Sequence, residues 1–257
     1  MFIRNETFYS FTRNYPVVTI LISIHLVLFL LVTLGRFGIF FPGLLIESLF
    51  VGWNQGIAEG DWWRLITPIL LHADISHVLF NSFALFLFGP ALEQMLGKSK
   101  FITFYFLTGV IANIATFILN DPEYRHVGAS GAIYGLLGMY LYMIYFKQHL
   151  IDPMSRQIVK IILVIGLIMT FLMPNINTLA HLIGALSGAA IAPLFLTKAR
   201  PYIPYVRTPP PRGDSSPNFN PTRWKRRGPR MNGSLVANIL GILFIILVVA
   251  GIVSNFF

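Results

Sequence analysis

The sequence predicts an all-α protein that crosses a membrane several times. Hydrophobic residues make up 55% of the 257-residue chain and charged residues only 11%, whereas roughly 25% of residues are charged in a typical soluble domain. Such a composition provides too few charges to cover a surface that faces water. The sequence also contains seven apolar segments that approach the roughly 20 residues a helix needs to span a bilayer.

We expect these segments to be helices because unpaired backbone groups cannot face lipid, and because the segments are too long and too uniformly apolar for barrel strands. The predicted spans cover, in chain order, residues 17–34, 78–96, 101–119, 129–146, 158–173, 179–196 and 235–253. The fifth span is short and must borrow flanking residues to cross the bilayer.

The spans divide the chain into four parts. Residues 1–16 are expected to form a cytoplasmic N-terminal segment, and residues 17–197 a core of six helices. A basic, proline-rich cytoplasmic linker, residues 198–234, then leads to a seventh spanning helix in residues 235–257. The sequence shows no internal repeat, which argues against transporter folds built from duplicated halves.

The positions of the basic residues predict the orientation. With the N-terminus in the cytoplasm, all but three of the 19 Lys and Arg residues lie on the cytoplasmic side, in agreement with the positive-inside rule. The exceptions are Arg36, Arg64 and Arg125. The net charge of +9 is therefore a signal of topology, and we expect the lipid bilayer, and no nucleic acid, as a partner.

The chain contains no cysteine. Disulfides, thiolate nucleophiles and thiolate metal sites are therefore excluded. We expect no cofactor and no metal ion.

Aromatic residues concentrate in the long connection between the first two spans, residues 35–66. They include Phe37, Phe40, Phe41, Trp53, Trp62 and Trp63. Because aromatic rings favour the membrane–water interface, we expect this loop to lie partly embedded there.

Four polar side chains are predicted to lie at one depth of the membrane, where polar groups are costly and usually mark function. Ser130 lies in the first turn of the fourth span and His181 near the start of the sixth, and both spans begin at the outer face. His77 and Asn81 are four residues apart on one face of the second span, which also enters from outside. The agreement in depth is independent of the orientation rule, which used only Lys and Arg.

Pairs of glycines accompany these residues. Gly131 and Gly135 in the fourth span, and Gly184 and Gly188 in the sixth, are spaced four apart, a pattern that lets helix backbones approach closely. A serine hydroxyl must come within about 2.6–3.2 Å of an imidazole nitrogen to transfer its proton. Only closely packed helices bring two such short side chains together.

Each of these residues also has a purely structural interpretation. Ser130 could bond its own helix backbone, and His181 or Asn81 could join neighbouring helices through a hydrogen bond. The glycine pairs alone indicate packing and nothing more. It is the shared depth of the four polar residues that favours a catalytic site.

Other histidines compete for the place of a base beside Ser130. His126 precedes Ser130 by four residues and is expected to be a solvated loop residue, and His72 precedes the second span. The sequence leaves both open as alternatives. His149 is expected in the cytoplasm and His25 in the middle of a helix, so neither is a candidate.

An ordered set of motifs resembles the rhomboid family of intramembrane serine proteases. The set consists of Trp63-Arg64 in the first loop, His77-xxx-Asn81, Gly128-Ala129-Ser130-Gly131, and His181-xx-Gly184-xxx-Gly188. A single motif of this kind is weak, but the ordered set is highly specific. The resemblance covers roughly residues 15–197, and the seventh span is similar to the family variant with one extra C-terminal helix.

The resemblance implies roles for individual residues. Ser130 would be the nucleophile and His181 its general base, in a dyad without an acidic third residue. His77, Asn81 and the backbone N–H of Ser130 would bind the oxyanion, with Gly131 as a supporting residue.

Further positions are implied by the same resemblance. Tyr134, one turn after Ser130, would stack on the catalytic histidine. The fifth span and residues 174–178 would gate the lateral entry of substrate. The positions implied to be structural are Trp63, Arg64 (which would hold the first loop), Glu93, Gly184 and Gly188.

The activity implied is the hydrolysis of peptide bonds in or near the transmembrane helices of other membrane proteins, which would be the protein partners. We expect the site to open to the exterior, and a bacterial plasma membrane as location because no organelle-targeting segment is evident. The sequence leaves the natural substrate and the oligomeric state open.

Two other functions compete with proteolysis. A catalytically inactive relative could act as a binding or quality-control protein, but such relatives lack the serine or the histidine, and both are present here. A transporter commonly keeps carboxylates at mid-membrane. Glu93 is the only acidic residue in the sequence of the seven spans, and it lies near the cytoplasmic end of the second span. Its position disfavours transport.

Overall fold

Helices form nearly all of the structure, a computed structural model that describes residues 1–2, 4–173 and 176–203. Within these residues the helices are α1 (Phe8–Asn14), α2 (Pro16–Arg36), α3 (Pro42–Phe50), α4 (Asn54–Ala58), α5 (Ile75–Leu96), α6 (Lys98–Leu119), α7 (Ser130–Phe146), α8 (Pro153–Leu172) and α9 (Thr178–Phe195). Short 3₁₀ turns cover Trp62–Leu65, Thr67–Leu70, Gln148–Leu150 and Leu196–Lys198. Two-residue strands, β1 (Gly52–Trp53) and β2 (Arg125–His126), pair antiparallel.

Five helices among the described residues are long and apolar enough to cross a bilayer. They are α2, α5, α6, α8 and α9, the last extended by its following turn, and α7 is an apolar helix of 17 residues. The prediction of an all-α, multi-pass membrane protein is therefore confirmed. The predicted seventh span and all but the first residues of the linker lie outside the described residues.

The fifth span gains its length at its N-terminal end. α8 begins at Pro153, five residues before the predicted start. Asp152 caps this helix by accepting a hydrogen bond from the backbone N–H of Ser155 at 2.9 Å, and proline is favoured in the first helical turn. A polar first turn is invisible to a count of apolar residues, which is why the predicted span was too short.

The first loop contains more regular structure than its composition indicates. It includes α3, α4, β1 and the 3₁₀ turn Trp62–Leu65, and the turn Thr67–Leu70 follows it directly. Arg64 is buried and joins these pieces by donating to the carbonyl groups of Ser48 and Val51, at 2.8 and 3.0 Å, and to the Asp61 carboxylate at 2.8 Å. Trp63 donates its indole N–H to the carbonyl of Leu49 at 2.9 Å. These bonds close the loop on itself.

Glu93 joins α5 to the start of α2. Its carboxylate accepts hydrogen bonds from the backbone N–H groups of Val17 and Val18, at 3.0 and 2.9 Å. The first N–H groups of a helix have no partner within the helix and carry the positive end of its dipole. A carboxylate at this point therefore satisfies two buried donors and fixes the two helices against each other.

α7 and α9 are in backbone contact along what we call the glycine seam, which consists of Gly131, Gly135, Gly184 and Gly188. A Cβ atom added at Gly184 would clash with the carbonyl oxygen of Gly131, and one at Gly188 with the carbonyl oxygen of Gly135. α7 and α9 can therefore be this close only because Gly184 and Gly188 lack side chains. The free sides of Gly131 and Gly135 admit α6 instead, since a Cβ atom there would first meet Ala112 and Thr108.

Candidate active site

Ser130 is the first residue of α7 and is half-buried. Gly128, two residues earlier, has a φ of +129°, a conformation that residues other than glycine rarely adopt. Its N–H donates to the carbonyl of Pro68 at 2.8 Å, and a Cβ atom here would lie 2.6 Å from Nε2 of His77. Glycine is thus needed at this position both for the backbone conformation and to leave room for the imidazole ring of His77. That ring consequently lies at the N-terminal end of α7.

His181 lies in the first turn of α9 and is buried. The start of this helix is fixed by Asn177, whose side-chain oxygen accepts from the N–H of Ala180 at 3.0 Å. The amide nitrogen of Asn177 also donates to the hydroxyl of Thr116 on α6, at 3.0 Å. The cap therefore sets the helix register and ties the His181 end of α9 to α6.

Ser130 and His181 lie at the N-terminal ends of α7 and α9, at the end of the glycine seam. A Cβ atom at Gly131, the neighbour of Ser130, would lie 3.5 Å from the carbonyl oxygen of Ala180, the neighbour of His181. In the part of the chain that the structure describes, Ser130 Oγ makes no direct hydrogen bond to His181. Such bonds are often long in a substrate-free site and tighten in the reacting complex.

The imidazole of His181 is held by two side chains. The ring of Tyr134 stacks on it with a centroid separation of 4.1 Å and an angle of 18° between the planes. Thr170 of α8 bonds its Nδ1 at 2.7 Å. The second ring nitrogen, Nε2, is thereby left to exchange a proton.

Thr170 was not singled out from the sequence. A signal existed, because Thr170 is a hydroxyl residue in an apolar helix, two residues before that helix ends. Helix α8 ends at Leu172 and α9 begins at Thr178. The end of one helix and the start of the next lie on the same side of the membrane, so Thr170 lies at the same depth as His181. A depth comparison that included threonine would have found it.

Asn81 is buried on the face of α5 that also carries His77 one turn earlier. Its amide nitrogen Nδ2 has no hydrogen-bond partner among the described residues. A buried donor without a partner costs about 1–3 kcal/mol and is rare enough in folded proteins to require an explanation. The amide nitrogen of Asn81 is therefore free to donate to a bound group.

Asp74 caps α5 and fixes the position of His77. Its carboxylate accepts from the N–H of His77 at 2.8 Å and from the hydroxyl of Ser76 at 2.5 Å. Partial burial raises the pKa of Asp74, but these hydrogen bonds outweigh it and bring the pKa below its usual value. The cap therefore stays ionised at neutral pH.

The two competing histidines occupy other surroundings. His72 lies between His25 and His77, with ring centroids 4.8 and 5.1 Å away. The expectation that His126 is a solvated loop residue is wrong. It belongs to β2, and its ring lies against Gly52 of the paired strand. Both ring nitrogens are buried and have no hydrogen-bond partner within the described part of the chain. The absence of a side chain at Gly52 makes room for the ring, and burial lowers the pKa of His126 to about 4.

Two predictions remain, the gating of substrate entry and the absence of a metal site. Residues 174–175 of the predicted gating loop lie outside the described residues, so the gating role stays a prediction. Within the described residues no group of three or more His, Asp or Glu side chains is arranged to hold a metal ion.

The fold and the site define a class, a multi-pass membrane protein with a serine and a stacked histidine on adjacent helices. Comparison with known proteins gives the family. A model of the rhomboid domain matches residues 59–198. The rhomboid-type protein YdcA of Bacillus subtilis is 45% identical over 198 residues, which cover 77% of this chain and 98% of that protein.

Other relatives share a shorter region. The rhomboid protease GluP of Bacillus subtilis is 39% identical over 147 residues, 57% of this chain and 29% of that protein. Rhomboid-like protease 1 of Toxoplasma gondii is 32% identical over 143 residues, 54% of this chain and 49% of that protein. The chain thus spans less than half the length of these two relatives. The chain belongs to the rhomboid family, and it is of the rhomboid protease type.

Proposed function

We propose that the chain is an intramembrane serine endopeptidase that cleaves other membrane proteins in or near their transmembrane helices. The observation that carries the proposal is His181, stacked on Tyr134 and bonded through Nδ1, beside the helix that begins with Ser130. Ser130 acts as the nucleophile and His181 as its general base.

The reaction proceeds in two halves. Ser130 Oγ attacks the substrate carbonyl carbon and passes its proton to Nε2 of His181. The C–N bond then breaks, and the imidazolium returns that proton to the leaving amine. In the second half water attacks the acyl ester, His181 takes a proton from the water and returns it to Ser130 Oγ, and the new carboxyl end of the substrate leaves.

The developing oxyanion is stabilised by donors from two helices. Asn81 supplies its unpartnered Nδ2, and His77 supplies a ring nitrogen beside Gly128. The backbone N–H of Ser130, supported by Gly131, belongs to the first turn of α7, where N–H groups are free and the helix dipole is positive. Each such donor stabilises the transition state by roughly 3–4 kcal/mol.

The orientation supports access to water. The excess of Lys and Arg near the opposite ends of the spans assigns the N-terminus to the cytoplasm, so the Ser130 end opens to the exterior. Hydrolysis needs water at that end, and a substrate helix must unwind locally to expose its bond. We propose the plasma membrane of a bacterium as the location, in line with the relatives from Bacillus subtilis.

The test is cleavage of a transmembrane substrate by the full chain in liposomes. Ser130→Ala and His181→Ala are expected to abolish cleavage while leaving the thermal unfolding midpoint unchanged. The matched control is Ser187→Ala on α9, because Ser187 is a buried serine whose hydroxyl donates to the carbonyl of Gly184 in its own helix. Full activity in either dyad variant, or equal losses in all three, contradicts the proposal.

A further inference from the structure

Thr170 holds His181 through a hydroxyl that has three polar neighbours. The side chain is buried in the last turn of α8. Its Oγ1 lies 2.7 Å from the carbonyl oxygen of Gly166, 2.7 Å from Nδ1 of His181 and 3.3 Å from the hydroxyl of Tyr134.

Counting hydrogens fixes the direction of these bonds. A threonine hydroxyl has one hydrogen and two acceptor positions, and a carbonyl oxygen can only accept. The hydrogen of Thr170 must therefore go to Gly166, since two oxygens at 2.7 Å without a hydrogen between them would repel. Thr170 then accepts from His181, which requires a hydrogen on Nδ1, and it accepts from Tyr134 as well. This arrangement alone satisfies all three contacts.

A neutral imidazole with its hydrogen on Nδ1 has its lone pair on Nε2. We propose that Thr170 is a positioning residue that sets this tautomer of His181 and thereby makes Nε2 a base toward Ser130. In a Ser-His-Asp triad a buried carboxylate has this role. The inference rests on the function proposed above, because it matters only if His181 accepts the serine proton.

A hydroxyl suits this place better than a carboxylate does. Ionised carboxylates within a membrane are costly, whereas Thr170 directs its hydrogen to its own helix and carries no charge. Tyr134 completes the arrangement because Gly166 leaves it room; a Cβ atom at Gly166 would lie 2.6 Å from the tyrosine hydroxyl oxygen. The base is thus oriented from α8, a helix whose other face is exposed at Ile165 and Ile168.

The experiment compares Thr170→Val, which keeps the shape but loses the hydroxyl, with Thr170→Ser, which keeps the hydroxyl. The full chain in liposomes is assayed for kcat and KM on a transmembrane substrate. Thr170→Val is expected to lower kcat roughly 10- to 100-fold, by analogy with side chains that orient a metal-binding histidine, with KM unchanged. Thr170→Ser is expected to retain most of kcat.

Two further variants separate orientation from packing. Thr108→Val removes another buried hydroxyl of a spanning helix, one that bonds the carbonyl groups of Phe104 and Tyr105 in its own helix, and it should leave kcat unchanged. Thr170→Ala cannot overpack the site and should lose as much kcat as Thr170→Val, so the inference stays testable if the valine variant does not fold.

Wild-type kcat in Thr170→Val or Thr170→Ala overturns the inference, as does an equal loss in Thr170→Ser. Ser130→Ala is measured in parallel to separate the two proposals. If Ser130→Ala is inactive while the hydroxyl-free variants are fully active, the role of Thr170 is wrong and the dyad stands. If Ser130→Ala still cleaves, the proposed function itself is wrong.

Discussion

The glycine seam and α8 contact the site differently, the seam through main-chain atoms and α8 through a side chain. Along the seam, α7 and α9 touch backbone to backbone, with no side chain between Gly184 and Gly131. α8 instead reaches the site through the side chain of Thr170 and exposes much of its surface, including Phe171 and Leu172.

The difference separates position from orientation. The seam sets where the main chains of Ser130 and His181 lie, and backbone contacts of this kind cannot relax when a side chain is added. α8 sets how the imidazole ring is turned, through hydrogen bonds that can be lost one at a time. Changes in the seam should therefore affect folding and activity together, whereas changes at Thr170, the residue through which α8 contacts His181, should affect activity with little loss of stability.

The largest effect is expected from Gly184→Val, which breaks the seam. The added side chain would clash with the carbonyl of Gly131, and overpacking typically costs about 1–3 kcal/mol or more. Cleavage should be lost and the thermal unfolding midpoint lowered in the same variant. Leu186→Val, on the exposed face of α9, is the control. A stable and active Gly184→Val protein would show that the close approach is dispensable.

The second-largest effect on kcat is expected at Asn81, which lies on α5 and belongs neither to the glycine seam nor to α8. Asn81→Ala should lower kcat about 10²- to 10³-fold without abolishing cleavage, since one oxyanion donor of several is lost. Its unfolding midpoint should fall no more than that of Ser82→Ala, because the adjacent hydroxyl is also buried without a partner among the described residues. Unchanged kcat in Asn81→Ala, measured by substrate cleavage, would exclude Asn81 as the donor.

A smaller effect is expected at the cap of α9. Asn177→Ala removes the side chain that accepts from Ala180 and donates to Thr116, and loss of an N-cap costs about 0.5–2 kcal/mol. Asp152→Ala removes the corresponding cap of α8. Both variants should melt earlier, but only Asn177→Ala should also lower kcat, because its helix carries His181. Equal kcat in the two variants would remove the distinction between the helices.

The smallest effect is a dependence of stability on pH at the start of α8. Burial raises the pKa of Asp152, but hydrogen bonds from Ser155 and the ammonium group of Met1 outweigh it and lower the pKa to about 2. Because the folded-state pKa is below the usual value, the cap stabilises the protein fully above about pH 4. The contribution is lost as the pH falls toward 2.

Thermal unfolding midpoints between pH 6 and pH 2.5 measure this contribution. Asp152→Asn, which cannot titrate, should show a shallower decline than the wild type. Identical curves for the two proteins would show that the cap contributes nothing. The difference should be small because the carboxyl is partly exposed and screened by solvent.

The sequence predicted the multi-pass helical fold, and led to Ser130 and His181 as candidate site residues, through signals that are local. Apolar length marks a helix, and glycines at intervals of four mark the seam around Ser130 and His181. The role of Thr170 depends on Gly166, Tyr134 and His181 meeting across three helices, and no spacing in the sequence encodes that meeting.

The same reasoning explains the error at His126. Its burial follows from pairing with Gly52, 74 residues earlier in the chain, and a short loop segment gives no sign of such a partner. The helices of the first loop were missed for a related reason, since α3 and α4 are short and the aromatic residues before and after them are typical of an interfacial loop.

The most direct test of the central claim is the site of covalent labelling by a fluorophosphonate, located by mass spectrometry of the digested full chain. The wild-type protein is expected to carry the adduct on Ser130, and His181→Ala is expected to carry none, because the serine needs a base to react. An adduct on a different residue, or equal labelling of Ser130 in both proteins, would contradict the Ser130–His181 dyad.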